Sequence, residues 1–167
     1  MDRIRIVLRS VRKEDWSAVQ KMFVEYNASA FGKYDRIGHT DKSHVLAFLD
    51  GMVREHVIYA IAKAETDEMI GYICFHIDGD AYDVGYMVSS ACQGMGIATA
   101  ASRQAMERLY SERGAKVFTA TVAAENRPSV NVLEKLGFSL ISETRVEKED
   151  GGTVFRMTER RYVKRFS

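Results

Sequence analysis

Gln93-Gly94-Met95-Gly96-Ile97-Ala98-Thr99 stands between a strand-like run, Tyr82 to Val88, and a helix-like stretch that reaches about Arg113. A strand that passes through a glycine-bearing loop into a helix is a general device for holding anions. The N–H groups at a helix start lack intrahelical partners, the dipole is positive there, and glycine lets a phosphate approach the backbone. The loop contains no lysine or arginine, so an anion held here is held by backbone N–H groups. A Walker loop would end in Gly-Lys-Ser/Thr, which is absent. A dinucleotide fingerprint needs a third glycine, where Thr99 stands, and a place after the first strand of a βαβ unit. The pattern that remains is Gln/Arg-x-x-Gly-x-Gly/Ala, met by Gln93, Gly96 and Ala98.

Upstream of the loop, Ile4 to Arg9 alternates like a first strand. From Trp16, the apolar residues Val19, Met22, Phe23 and Tyr26 recur at spacings of three and four, which predicts an amphipathic helix. A second helix is expected from Lys42 to Arg54, and between the two helices Asn27 to Asp41 is polar and glycine-punctuated. Val57 to Ala62, Met69 to Ile77 and Tyr82 to Val88 read as a three-stranded antiparallel meander. Downstream, Gly114 ends the long helix and Lys116 to Val122 is a strand. Pro128 opens a helix that Gly137 closes. Phe138 to Val146 and Thr153 to Val163 then form a closing hairpin, with an acidic and glycine turn over Glu147 to Gly152.

Two further stretches carry a family resemblance. Asn126-Arg127-Pro128-Ser129 leads into Leu133-Glu134-Lys135-Leu136-Gly137-Phe138, and Val84-Gly85-Tyr86-Met87-Val88 precedes the loop. Together with Gln93 to Thr99, these resemble the GNAT family of acetyl-CoA-dependent N-acyltransferases. Within that family they are most similar to the branch that includes ribosomal-protein alanine acetyltransferases. The motif-bearing part spans roughly Tyr82 to Val146, and the order of elements extends the resemblance over nearly the whole chain. The fold this implies is α/β (α+β): one domain over residues 1–167, with a mixed central sheet of about seven strands, about four flanking helices and a splay between the fourth and fifth strands.

The resemblance also implies roles for particular residues. The pantetheine arm would lie in the splay, pairing with the backbone at Met87 and Val88, and the pyrophosphate would sit on the N–H groups of Gly94, Met95, Gly96, Ile97, Ala98 and Thr99. Asn126 and Ser129 would hold the cofactor from the other side, although Asn126 is equally placed to cap the helix that follows. An N–H near Met87 or Val88 would face the developing oxyanion. Asp83 matches the branch's acidic position and is the candidate base; a carboxylate at the solvent edge of the sheet is the plainer reading. Where many members carry a tyrosine seven residues after the asparagine, this chain has Leu133. That leaves the proton donor for the departing thiolate unassigned. Tyr82 and Tyr86 are close in sequence; strand aromatics are usually core, and Tyr86 is a weak catalytic candidate behind Asp83.

Composition sets the outer bounds. The chain has 167 residues with 46% hydrophobic residues, a single proline, and 24 basic against 23 acidic side chains. That suits one globular core and argues against intrinsic disorder and against nucleic acid as the main partner. Between Met1 and Arg12, charged residues interrupt every apolar run. Neither a leader's ~7–15 apolar residues nor a membrane helix's ~20 is expected, and the expected location is the cytoplasm. Cys74 and Cys92 read as reduced buried thiols. His39, His44, His56 and His76 show no zinc-site spacing, so no metal is expected. Trp16 and Phe23 border the acceptor pocket by resemblance and the core by spacing, and acceptor choice is expected in the loop from Phe31 to His44. The expected function is transfer of an acetyl group from acetyl-CoA to a primary amine, a protein N-terminus or small amine, in a ternary complex. The alternative is an acyl-CoA-binding sensor or interaction module without catalysis. Apolar residues in the closing hairpin would suit either a homodimer or packing on the chain's own sheet.

Overall fold

The computed structural model describes residues 3–167. Met1 and Asp2, part of the stretch read for a leader, lie outside the described residues. In chain order the elements are β1 (Ile6–Arg9), α1 (Trp16–Ala28), α2 (Lys42–Glu55), β2 (Val57–Lys63), β3 (Met69–Asp78), β4 (Ala81–Val88), α3 (Ile97–Arg113), β5 (Val117–Ala123), α4 (Arg127–Lys135), β6 (Ser139–Asp150) and β7 (Thr153–Arg165). Among the described residues the strands form one 7-stranded sheet in the order β1-β2-β3-β4-β5-β7-β6. Only β4 and β5 run parallel; the other neighbours are antiparallel. No helix among the described residues is long and apolar enough to cross a membrane.

Helices cover both faces of the central strands, which is why β2 and β3 are continuous apolar runs rather than alternating ones. On one face Val19, Met22 and Phe23 of α1 and Val45, Leu49 and Met52 of α2 pack on Ile58, Ala60, Tyr72 and Cys74. On the other, Ala105, Met106 and Leu109 of α3 and Leu133 of α4 pack on Ile73, Phe75 and Phe118. The split follows the two-residue period of β3: Tyr72 and Cys74 go one way, Ile73 and Phe75 the other.

The parallel pairing of β4 and β5 is short. It consists of Ala81 with Val117, Tyr82 with Phe118 and Asp83 with Thr119, and there it stops. Beyond Asp83, β3 holds β4 as far as the pair Gly71–Val88, while β7 holds β5 as far as the pair Ala123–Glu159. Each strand is secured along its outer edge, so the inner edges are free to part into a V. Gly71 belongs to this arrangement: a Cβ there would come within 2.6 Å of the Met87 carbonyl oxygen.

Boundaries shift by a residue or more at several elements relative to the sequence reading, and two of these shifts are instructive. Strand β1 starts at Ile6 rather than Ile4. The turn expected over Glu147 to Gly152 shrinks to Gly151 and Gly152, whose φ values of 58° and 84° are those of a tight hairpin turn. Glu147 to Asp150 are strand residues paired with Arg156, Phe155, Val154 and Thr153. Acidic residues in series look like a loop, yet an edge strand such as β6 tolerates them and is protected by them.

Candidate active site

The V exposes the inner edge of β4, and strand alternation decides which residues offer backbone groups to it. The Ser89 N–H donates to the Ile70 oxygen at 2.8 Å, on the β3 side. Met87, two residues earlier, therefore also turns its backbone toward β3, while Val88 and Tyr86 turn theirs into the gap. Of the two residues expected at the splay, Val88 offers its backbone to the V and Met87 offers its side chain. The Val88 carbonyl accepts a 3.1 Å hydrogen bond from the Gln93 side-chain amide, which ties the following loop to the strand end.

In that loop Gly94 and Gly96 have φ of 76° and 75°, the left-handed region that favours glycine. Open space surrounds the position a Cβ would take at either, so the loop surface is bare backbone. The first hydrogen bond within α3 runs from Ala100 N–H to Gly96 oxygen at 3.0 Å. The N–H groups of Ile97, Ala98 and Thr99 precede it and have no intrahelical acceptor. The Ile97 side chain is buried with Ala101 and Ile61, which anchors this helix start to the sheet. Met95 is exposed. No acidic residue stands in the first turn to occupy the dipole's positive end.

A cavity of about 730 Å³ occupies the V and is lined by residues from both faces of the sheet. On the α3–α4 face it meets Asn126, Ser129, Tyr86 and Leu133. Asn126 Oδ1 accepts from the Ser129 N–H at 3.4 Å, so this side chain caps α4 as well as lining the cavity. The Tyr86 hydroxyl donates to the Ser129 carbonyl at 3.3 Å, spanning the V from β4 to α4. Burial pushes the Tyr86 phenol up, with the Ser129 bond opposing. Leu133 presents an apolar side chain where a tyrosine would supply a proton.

On the α1–α2 face Asp83 is half-buried on the last rung shared with β5, and its Oδ1 accepts the Thr119 hydroxyl at 2.8 Å. Cys74 also lines this half. Burial, reinforced by the charge of Asp83, pushes its thiol up to about 12. A thiol so raised stays protonated at neutral pH and is a poor nucleophile. Cys92 is free and buried too.

Of the loop from Phe31 to His44, Tyr34, Asp35, Ile37, His39 and His44 reach the cavity. The loop is also fastened to the β6–β7 hairpin. Arg36 pairs with Asp150, Lys148 Nζ donates to the Tyr34 carbonyl at 2.8 Å, and the Tyr34 and Phe155 rings meet edge-on at 5.8 Å. Phe23 both packs in the core and lines the cavity, whereas Trp16 packs at the core's margin beneath Lys42 and stays out of the cavity. Lys148, Met157 and Glu159 also line this half. Sequence reading does not single them out, because no local pattern signals where β6 and β7 dock. At the rim, His39, Asp41 and His44 bring ligand atoms within 4.8 Å of one another, all three exposed. Asp41 is already engaged there, capping α2 through the His44 N–H and accepting from His44 Nδ1 at 2.6 Å.

The fold and the loop agree with three comparisons. The acetyltransferase (GNAT) domain model matches residues 5–139. YnaD, an uncharacterized N-acetyltransferase of Bacillus subtilis (strain 168), is 25% identical over 136 residues, which make up 80% of this chain and 78% of YnaD. Among solved structures, a GNAT-family acetyltransferase from Bacillus anthracis superposes with a TM-score of 0.80 at 19% identity, covering 99% of this chain and 97% of that one. RimL, a ribosomal L7/L12 alpha-N-protein acetyltransferase in complex with coenzyme A, superposes with a TM-score of 0.78 at 17% identity, covering 96% and 93%. At these identities the two structures establish a shared fold. The family model spans most of the chain, including the V and the glycine loop: the chain belongs to the GNAT acetyltransferase domain family and is an acyltransferase.

Proposed function

We propose that this protein transfers the acetyl group of acetyl-CoA to a primary amine by direct attack in a ternary complex, within a single domain over residues 1–167. The observation that carries the reading is the cavity in the V, because its lining comes from both faces of the sheet and so brings a cofactor side and an acceptor side to one point. The loop suits a pyrophosphate: bare left-handed glycines, unpaired N–H groups from Gly94 to Thr99, and no competing carboxylate in the first turn. Val88 and Tyr86 offer backbone groups along which an extended pantetheine arm pairs as an added strand would. Asn126 and Ser129 border that arm from α4. The Val88 N–H faces the carbonyl oxygen and stabilises it as charge develops.

On the opposite face the amine arrives mostly protonated at neutral pH and must lose a proton before attack. Asp83 takes that proton directly or through water. The nitrogen then bonds to the carbonyl carbon, the C–S bond breaks, and the second proton lost by the nitrogen passes, directly or through water, to the departing thiolate, which leaves as coenzyme A. Cys74, held protonated, is unsuited to carry the acetyl group in a covalent intermediate, which favours direct transfer. The RimL structure supports a peptide N-terminus among the acceptors, since its name describes alpha-N-acetylation of a ribosomal protein in a chain of the same fold. The exposed Leu140 and Ile141 at one end of the hairpin are apolar residues that a homodimer would cover.

An assay of labelled acetyl-CoA over a panel of amines tests the reading. Transfer to at least one amine is expected. Coenzyme A binding without transfer would overturn it in favour of an acyl-CoA-binding module, consistent with Leu133 in place of a proton donor.

A further inference from the structure

The acceptor half of the cavity has a definite chemistry. Its inner wall is aromatic: Phe23 meets Phe48 at 5.4 Å and Tyr72 at 6.4 Å between ring centroids, and Phe48 meets Tyr72 at 5.8 Å. Met87 and Met157 flank that wall with flexible, polarizable side chains that accommodate ring faces and edges. Around it stand three carboxylates from three separate elements: Asp35 on the loop after α1, Asp83 on β4 and Glu159 on β7. The lysine in this half, Lys148, turns its ammonium to the Tyr34 carbonyl. Burial and the charge of Asp35 push the Tyr26 phenol up to about 12, so its hydroxyl stays neutral.

We propose that the acceptor is a primary amine borne on an aromatic or similarly bulky apolar group, with no free carboxylate on the carbon next to the nitrogen. Burying such a group against the aromatic wall removes apolar surface from water and so supplies affinity. The carboxylates attract the incoming ammonium and orient it toward Asp83. A carboxylate on the α-carbon would enter the same acidic ring, where three carboxylates outnumber the one lysine of the lining, Lys148, and repel it, so free amino acids are disfavoured. An arylalkylamine and a peptide N-terminus beginning with an aromatic residue share the required chemistry. This inference rests on the acetyltransferase reading above.

The test compares kcat/KM at fixed acetyl-CoA for 2-phenylethylamine, ethylamine, phenylalanine and spermidine, and for tripeptides beginning with Phe or Ala. 2-Phenylethylamine differs from phenylalanine only by the carboxylate and from ethylamine only by the ring. It is expected to exceed each at least tenfold. The Phe tripeptide is expected to exceed the Ala tripeptide by a similar factor, and comparison with 2-phenylethylamine shows which source is preferred. In Asp35→Asn, an exposed position, the preference for 2-phenylethylamine over phenylalanine should narrow while coenzyme A affinity holds. Equal rates for phenylalanine and 2-phenylethylamine, or a preference for spermidine, would overturn the acceptor class while leaving the acetyltransferase reading standing. Coenzyme A binding with no transfer to any amine would overturn both.

Discussion

The Thr119 hydroxyl donates a 2.8 Å hydrogen bond to Asp83 Oδ1 on the final rung that β4 and β5 share. The bond fixes one carboxylate oxygen at the vertex of the V, on a residue that lines the acceptor half of the cavity. This steadied carboxylate is the base proposed above for the amine.

Asp83→Asn keeps the shape and removes the proton acceptor. Its kcat/KM should fall about 10²-fold, the usual scale for a lost general base. The deficit should be largest at low pH, where the amine is most fully protonated, and coenzyme A affinity should change less than twofold. A pH–rate profile matching the parent's would remove Asp83 as the base.

Gly96→Asp places an anion and a Cβ where the backbone has φ of 75° and the pyrophosphate is proposed to approach. Coenzyme A affinity measured by calorimetry should weaken at least tenfold in protein shown by circular dichroism to be folded. Gly96→Ala, which carries the conformational strain without the charge, should weaken it less. Unaltered affinity in the aspartate variant would refute the role of the loop.

Gly71→Ala tests the geometry of the V from its outer edge. The added Cβ would lie 2.6 Å from the Met87 oxygen and 3.3 Å from Val88 Cα. Forcing β4 away should cost about 1–3 kcal/mol in denaturant unfolding. Because Val88 moves with it, coenzyme A affinity should fall as well; normal stability together with normal affinity would contradict the close approach.

Asp15 sets a pH dependence of stability away from the site. Burial alone would raise its carboxyl, but Arg9 bonds both oxygens at 2.9 and 3.0 Å and the Arg12 N–H donates at 2.7 Å. The net shift is downward. A carboxyl lower in the folded than in the unfolded chain contributes stability above about pH 3.9, and that stability is lost as pH falls through the folded value. Asp15→Asn should therefore cost about 2–4 kcal/mol at pH 7, and the gap to the parent should shrink in unfolding measured near pH 3. A gap independent of pH would argue against the ion pair.

Where the signal is local, the sequence is a sufficient guide. The apolar spacing from Trp16 locates α1, Gly114 ends α3 in the left-handed conformation, and α4 lies between Asn126 and Gly137. The cofactor loop belongs to this class, because its glycines and the helix after it are contiguous. The hairpin turn misleads, since Glu147 to Asp150 have the composition of a loop but are held as strand by pairing with Arg156 to Thr153. Asn126 shows both of its readings at once, capping α4 while bordering the cavity.

The sequence by itself determined the strand–loop–helix that presents unpaired N–H groups, because capping, glycine conformation and periodicity act over a few residues. Only the tertiary structure decided that Val88 rather than Met87 turns its backbone into the V. That choice depends on which of its neighbours β4 pairs with. It also decided that Asp35, Lys148, Met157 and Glu159 share one chamber with Asp83, since sheet order and the docking of the loop on the hairpin bring together residues with no local pattern in common.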